Sequence, residues 1–541
     1  MKKTHSTGRR EKCHRKLIFN WVYGLISLLV FSVAQPNLAQ SDDETIRFRI
    51  EAFEITGNTI FPESTLLDEL RQYQGEDKTA EDVEKARATL ERYYHQKGYP
   101  TALVNIPEQT VEEGIIRLKV IESKIRRVRI TGNRYFTMEK ILNALPTFQE
   151  GRILYVPNVQ TELADLNRNP DLKVAPVLMP GKELGTIDVE LKVKDKLPLH
   201  GSLELNNRNT HTTTELRLNG MLRYDNLWQK DHSLSVQFQT SPQDTQEVKL
   251  FSGSYVWPSF FSADNMSVLY GVLSDSDTAF GGDFTVVGKG SIVGFREIIP
   301  LPRVGEYAHN LSLGVDYKDF DEDQRFGEES ETVPVSYLPL SLSYSSSVKG
   351  ETGVTRFNLG LGLALRGLVS SESEFEYKRY NARGNYVVLS AGLERIQNLP
   401  GGLSLQVKAN GQLADQPLIS NEQFTAGGMM SVHGFKESEA SGDNGALGNA
   451  VLNSPDLAGL FVADSRFKIN LNAFYDAAYL SKNDPLPGED GETKLQGAGA
   501  GLRLAWGNRF EAVVDWGMAL ESTTDTEYGD HVVYFLTKLQ F

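Results

Sequence analysis

Cysteine is all but missing from this sequence: the single one, Cys13, lies in the N-terminal leader described below. Without it the mature chain has no disulfide and no thiolate chemistry. Long apolar runs are missing too. Beyond residue 40 no stretch approaches the roughly 18 consecutive apolar residues of a spanning helix. Basic charge is in short supply: removing the leader leaves 49 Lys and Arg against 70 Asp and Glu, a net charge near −21. Such a chain has no electrostatic footprint for nucleic acid. Nor is there a G-x-S-x-G elbow, an H-E-x-x-H pair or a run of histidines at metal spacing. No enzyme activity, cofactor or metal is therefore expected.

What is present begins with the leader. Lys2, Lys3, Arg9, Arg10, Lys12, Arg15 and Lys16 precede the apolar run "LIFNWVYGLISLLVFSVA", and small residues follow at Ser32, Ala34 and Ala39. That order is a secretory signal peptide over 1–39, cleaved after Ala34 or Ala39, and is set apart from the fold. A retained membrane anchor is the alternative.

An internal repeat comes next. "FEITGNTIFPESTLLDEL" from Phe53 aligns with "VRITGNRYFTMEKILNAL" from Val128, and the copies close alike in "IIRLKVIE" and "IDVELKVK". The pattern predicts two α+β modules, 45–123 and 124–196, each strand, helix, helix, strand, strand. Gly57 and Gly132 suit a turn needing positive φ. Pro62 suits a helix start. Thr79 with Asp82 reads as a capping box, Val83, Ala86, Leu90 and Tyr94 as one buried stripe, and Gly98 as a stop. Pro107 and Pro176 mark the middle strand of each module as a sheet edge, because proline is tolerated there and not in a central strand. An exposed edge accepts an extended guest peptide, so Ala102, Leu103, Val104, Val174, Ala175 and Val177 are candidate substrate contacts.

From 197 to 541 the texture changes to short alternating runs. In "FKINLNAFYD", Phe467, Ile469, Leu471, Ala473 and Tyr475 oppose Lys468, Asn470, Asn472, Phe474 and Asp476. One apolar and one polar face repeated this often fits a soluble sandwich or a membrane barrel. The final "VVYFLTKLQF" ends on Phe541, which closes a barrel without leaving an edge. The reading is an α+β pair of periplasmic modules followed by a transmembrane β-barrel of about 16 antiparallel strands, at about 10 residues per crossing.

Leader, repeated modules and barrel together resemble the two-partner secretion transporters of the outer membrane, whose modules are POTRA domains and which belong to the barrel-assembly superfamily. "GYPTALVNIPEQTVEEGIIRLKVIE" resembles that family's first-module signature, and "YDNLWQKDHSLSVQFQTSP" its early barrel hairpin. "VHGF", Val432, His433, Gly434 and Phe435, corresponds to the family's V-R-G-[FY] motif. The resemblance implies a long extracellular loop folded back into the lumen, held by Asp476 of "FYDAA", where Phe474 and Asp476 match F-x-D-x-G and Ala478 replaces the glycine. Phe541 corresponds to the signal by which outer-membrane barrels are recognised for insertion.

Two departures matter. Little chain precedes the first module, so no plug helix is expected. His433 replaces a permanently charged arginine with a side chain charged only when protonated. The implied function is recognition of an unfolded, extended partner protein in the periplasm and its secretion through the pore, driven by cargo folding outside. The implied partners are that protein, outer-membrane lipid and the barrel assembly machinery. A factor that inserts other barrels is the alternative, although such factors usually carry more than two modules.

Overall fold

The computed structural model describes residues 46–541 apart from 112, 263, 277, 282, 283, 288, 327, 328, 366–371, 462, 463 and 465. The expected leader, 1–39, lies outside the described residues.

The first compact unit ends at Ser123. Its closing strand Ile115–Glu122 is central, parallel to Ala52–Thr56 on one side and antiparallel to Ala102–Asn105 on the other. Helix Ala80–Gln96 starts at Thr79, whose hydroxyl and backbone exchange bonds with Asp82 as a capping box. Val83, Ala86, Leu90 and Tyr94 form its buried stripe. Each such apolar side chain taken fully out of water contributes about 1.5–3 kcal/mol, alanine less. Gly98 ends it with φ 94°.

The second unit begins at Lys124 and opens with the same topology. Thr186–Asp195 lies between parallel Lys124–Thr131 and antiparallel Leu172–Pro180. The repeat extends to atoms. Gly57 and Gly132 have φ of 83° and 89°, and a Cβ on either would come within 2.3 Å of the Val120 or Val193 carbonyl oxygen. Asn58 and Asn133 each donate Nδ2 to the carbonyl of Phe61 or Phe136 at 3.0 Å. A carboxylate ends each closing strand: Glu122 accepts from the Thr59 and Ile60 amides, Asp195 from those of Arg134, Tyr135 and Phe136. Both middle strands lie at a sheet edge. Ala102, Val104 and Val174 nevertheless bury their side chains in the cores, whereas Leu103 and Ala175 are exposed. Val177 is partly exposed, and the edge backbone is already engaged: Val104 bonds Glu91 and Arg87, and Val174 bonds Asn167.

From Leu199–Asn206 onward the chain forms a closed antiparallel barrel of 16 strands, counting Glu329–Tyr337 and Pro339–Gly350 as one because both pair with the long Tyr307–Phe326. Leu222, Leu234, Val236 and Phe238 face outward and are exposed, while Arg217, Asn472, Phe474 and Asp476 face inward and are buried. The barrel shuts where His531–Gln540 pairs with the first strand over five residues, and Phe541 exchanges backbone bonds of 3.0 and 3.2 Å with Gly201. The alternation of the sequence is the fold here: a polar wall turned inward, an apolar one turned to lipid.

Candidate functional site

The loop between strands Ser404–Ala414 and Asn444–Asn453 folds into the lumen. A short hairpin, Phe424–Ala426 with Ala440–Gly442, forms its stalk and "GGMMSVHGF" its apex. Most of the apex is buried, with Val432 and Phe435 at 0% exposure, while Met430 stands out at 63%.

His433 Nδ1 lies 2.7 Å from Asp476 Oδ2, and the His433 amide donates to the same oxygen at 3.2 Å. Asn449 Nδ2 donates to Asp476 Oδ1 at 2.8 Å and to the Ser431 carbonyl at 2.5 Å. The imidazole stacks on Phe474, with centroids 3.9 Å apart, and meets Tyr534 edge-on at 5.3 Å. Tyr534 Oη accepts from the Gly434 amide and donates to the Phe435 carbonyl. The sequence placed His433, Phe474 and Asp476 together; the structure puts them in direct contact.

Sequence reasoning missed the floor of the site. Gly497, Gly499 and Gly501 alternate along one strand, and Gly517 lies on the next. A Cβ on Gly497 would stand 1.8 Å from the His433 carbonyl oxygen, and one on Gly517 2.6 Å from His433 Cβ. Glycine inside a strand marks close backbone approach, so "GAGAG" carried the signal. Asp515 was missed as well; its carboxylate lies 3.9 Å from His433 Nε2, beyond hydrogen-bond reach. Among the described residues, His433 Nε2, Asp515 Oδ1 and both amide atoms of Asn472 have no hydrogen-bond partner.

The electrostatics follow from this enclosure. Burial pulls the His433 pKa down, but the Asp476 hydrogen bond and the charges of Asp476 and Asp515 push it further up, so it stands above the ordinary value for histidine. His433 is on the loop, outside the spanning strands. Further anchors surround the apex. Glu437, 4% exposed, pairs with Arg208 at 2.8 Å and accepts from the Met429 amide. Glu439 accepts from His211 and from Thr526. At the stalk, fully buried Asp443 takes a two-pronged bond from Arg379 and accepts the Leu418 and Asn483 amides. Arg379 follows the helix Glu372–Lys378, an element the alternation did not announce. Its Phe375 meets Tyr337 of the wall edge-on at 5.4 Å, in a buried cluster that also holds Phe320 of the wall and Leu418 of the loop.

A POTRA-type module, a second of like topology, and a closed 16-stranded barrel with a loop seated inside define an outer-membrane protein of the POTRA-barrel class. Residues 185–504 match the haemolysin secretion/activation proteins ShlB/FhaC/HecB, and residues 48–123 match the ShlB-type POTRA domain. The chain belongs to this haemolysin secretion/activation family, and with it to the outer membrane with POTRA domains in the periplasm. It is 25% identical over 415 residues to the outer membrane transporter CdiB of Dickeya dadantii (strain 3937), covering 73% of this chain and 71% of that one. It is 20% identical over 448 residues to the heme/hemopexin transporter protein HuxB of Haemophilus influenzae (strain ATCC 51907 / DSM 11121 / KW20 / Rd), covering 81% and 77%. The solved structure of CdiB from Escherichia coli superposes with a TM-score of 0.59 at 18% identity, over 94% of this chain and 93% of that one. BamA from Haemophilus ducreyi lacking POTRA domains 1–3 does so at 0.55 and 15%, over 91% and 100%, a likeness of fold alone.

Proposed function

We propose that the chain receives an unfolded, extended partner protein along the outer sheet edges of its two modules, at Leu103 and Ala175, and passes it through the barrel when the lumen loop leaves its seat. The guest displaces the Glu91, Arg87 and Asn167 side chains that bond the Val104 and Val174 backbone. One observation carries this reading. Asn449, Asp476, Gly497, Gly517 and Tyr534, which hold the apex, lie on five consecutive strands of one wall. The base of the loop is anchored elsewhere, where Glu422 bonds Lys318 and Tyr337, so an apex held on one wall can swing away about that base without breaking any barrel ladder. The His433–Asp476 contact is the tether, and it weakens as pH rises past the raised pKa of the histidine.

The test is secretion. A candidate partner, sought as a large exported protein encoded beside this chain, is co-expressed with it, and its appearance in the medium is measured with the parent and with Leu103→Lys. Release that needs the chain and falls severalfold with the edge substitution supports the reading. Retention of the partner alongside loss of other outer-membrane barrels favours the assembly-factor alternative. The short five-residue closing seam is the feature that favours that alternative.

A further inference from the structure

A second cluster lies where the second module meets the barrel, away from the lumen loop. Asp171, just before the edge strand Leu172–Pro180, faces His200 at the start of the first barrel strand and Asp225 near the end of the second. His200 Nε2 is 2.8 Å from Asp171 Oδ2 and 3.5 Å from Asp225 Oδ2, and one oxygen or nitrogen from each residue falls within 4.8 Å of the other two. We propose that Asp171, His200 and Asp225 form a binding site for a divalent transition-metal cation of the zinc type, which bolts the second module to the first hairpin of the barrel.

The donor set is one imidazole nitrogen and two carboxylates, with a fourth position left for water, which suits tetrahedral zinc at about 2.0–2.2 Å per ligand. Donor atoms around such an ion stand about 3.3 Å apart by tetrahedral geometry. The 3.5 Å pair already has that spacing, and the 2.8 Å pair needs to open by roughly 0.5 Å, as a metal replaces the shared proton. The donors are held by the backbone around them. The Asp171 amide donates to Asn169 Oδ1 and its carbonyl accepts from the Lys196 amide; the Asp225 amide donates to the Pro198 carbonyl. Ser233 Oγ donates to Asp225 Oδ1 at 2.6 Å, the outer contact that orients a ligating carboxylate. Charge points the same way. Asp171 is 5% exposed and, among the described residues, pairs with no lysine or arginine. A buried carboxylate needs compensation, and a divalent cation held between Asp171, His200 and Asp225 would supply it. Arg223, 3.1 Å from Asp225 Oδ2, neutralises one of the two acids and leaves the other. The three residues are spaced 29 and 25 apart in the chain, so no short motif announces them.

Tag-free full-length protein in detergent, stripped with chelator, is titrated with zinc by calorimetry. One equivalent is expected in the parent and in His232→Gln, a control in which a nearby histidine bonded to Tyr255 is changed. His200→Gln and Asp171→Asn should each bind at least about tenfold more weakly, since even outer contacts are worth about 10- to 100-fold. Zinc-edge X-ray absorption on the parent gives a reading that needs no variant: one imidazole nitrogen among oxygens is expected. No stoichiometric zinc, unchanged affinity in folded His200→Gln, or a shell of oxygens alone overturns the site and leaves the cluster an ion pair.

Discussion

Gly497→Ala puts the seat of the loop under direct strain. The added Cβ would meet the His433 carbonyl oxygen at 1.8 Å, where ordinary contact begins at 3.4 Å. The strand Glu492–Trp506 cannot yield, because it is hydrogen-bonded on both flanks. The loop must therefore retreat by roughly 1.5 Å to restore van der Waals contact. A shift of that size takes His433 Nδ1, now 2.7 Å from Asp476, beyond hydrogen-bond range. Overpacking costs about 1–3 kcal/mol, and a charge-assisted bond lost adds about 1.5–3 kcal/mol. Even toward the lower end of that sum, about 3 kcal/mol, the ratio of seated to unseated loop falls about 150-fold. Single-channel recording in planar bilayers at pH 6 reads this as a large rise in open events. Gly459→Ala, where a Cβ meets nothing within 4 Å, should record as the parent. If folded Gly497→Ala protein conducts like the parent, the reasoning about the glycine floor is wrong.

Three other outcomes are expected. His433→Arg, which restores the family residue, reaches both Asp476 and Asp515 with its planar fork and should lower conductance and flatten its pH dependence in the same recordings. Asp195→Asn removes the charged acceptor of three backbone amides and should cost the second module about 1–3 kcal/mol, read by denaturant unfolding. Burial raises the Asp195 pKa, but those amides lower it more, so the net shift is downward. The stability it contributes is therefore present above the ordinary aspartate value and is lost as pH falls through the depressed one. Leu103→Lys places a charge on the outer edge strand of the first module, a device that blocks strand addition, and should reduce partner secretion severalfold while heat-modifiable migration on gels shows an intact barrel.

Much of this architecture was legible because its periods are simple. Period 3.6 in Val83, Ala86, Leu90 and Tyr94 gave a helix, period 2 around Asp476 gave a wall with an inner face, and the repeated "TGN" gave two modules. Prolines at 107 and 176 marked the edges. The helix Glu372–Lys378 escaped because seven residues carry too little periodicity to stand out from a loop. Asp515, Glu437 and Arg208 escaped for a different reason. Their partners lie far along the chain, and only barrel closure brings them together: Arg208 and Glu437 are 229 residues apart. The three glycines of "GAGAG" were readable as close approach, but the strand alone does not say what approaches.

The tether is tested most directly by conductance against pH in the parent and in Asp476→Asn. His433 titrates above its ordinary 6.5, so its ion pair is fully present below that pH and is lost as pH rises through the raised value. The titratable groups that face it are Asp476, Asp515 and Tyr534. The parent should be mostly closed at pH 6 and open progressively as pH rises through the raised value, whereas Asp476→Asn should be open throughout. Superimposable curves from the two proteins would contradict the account.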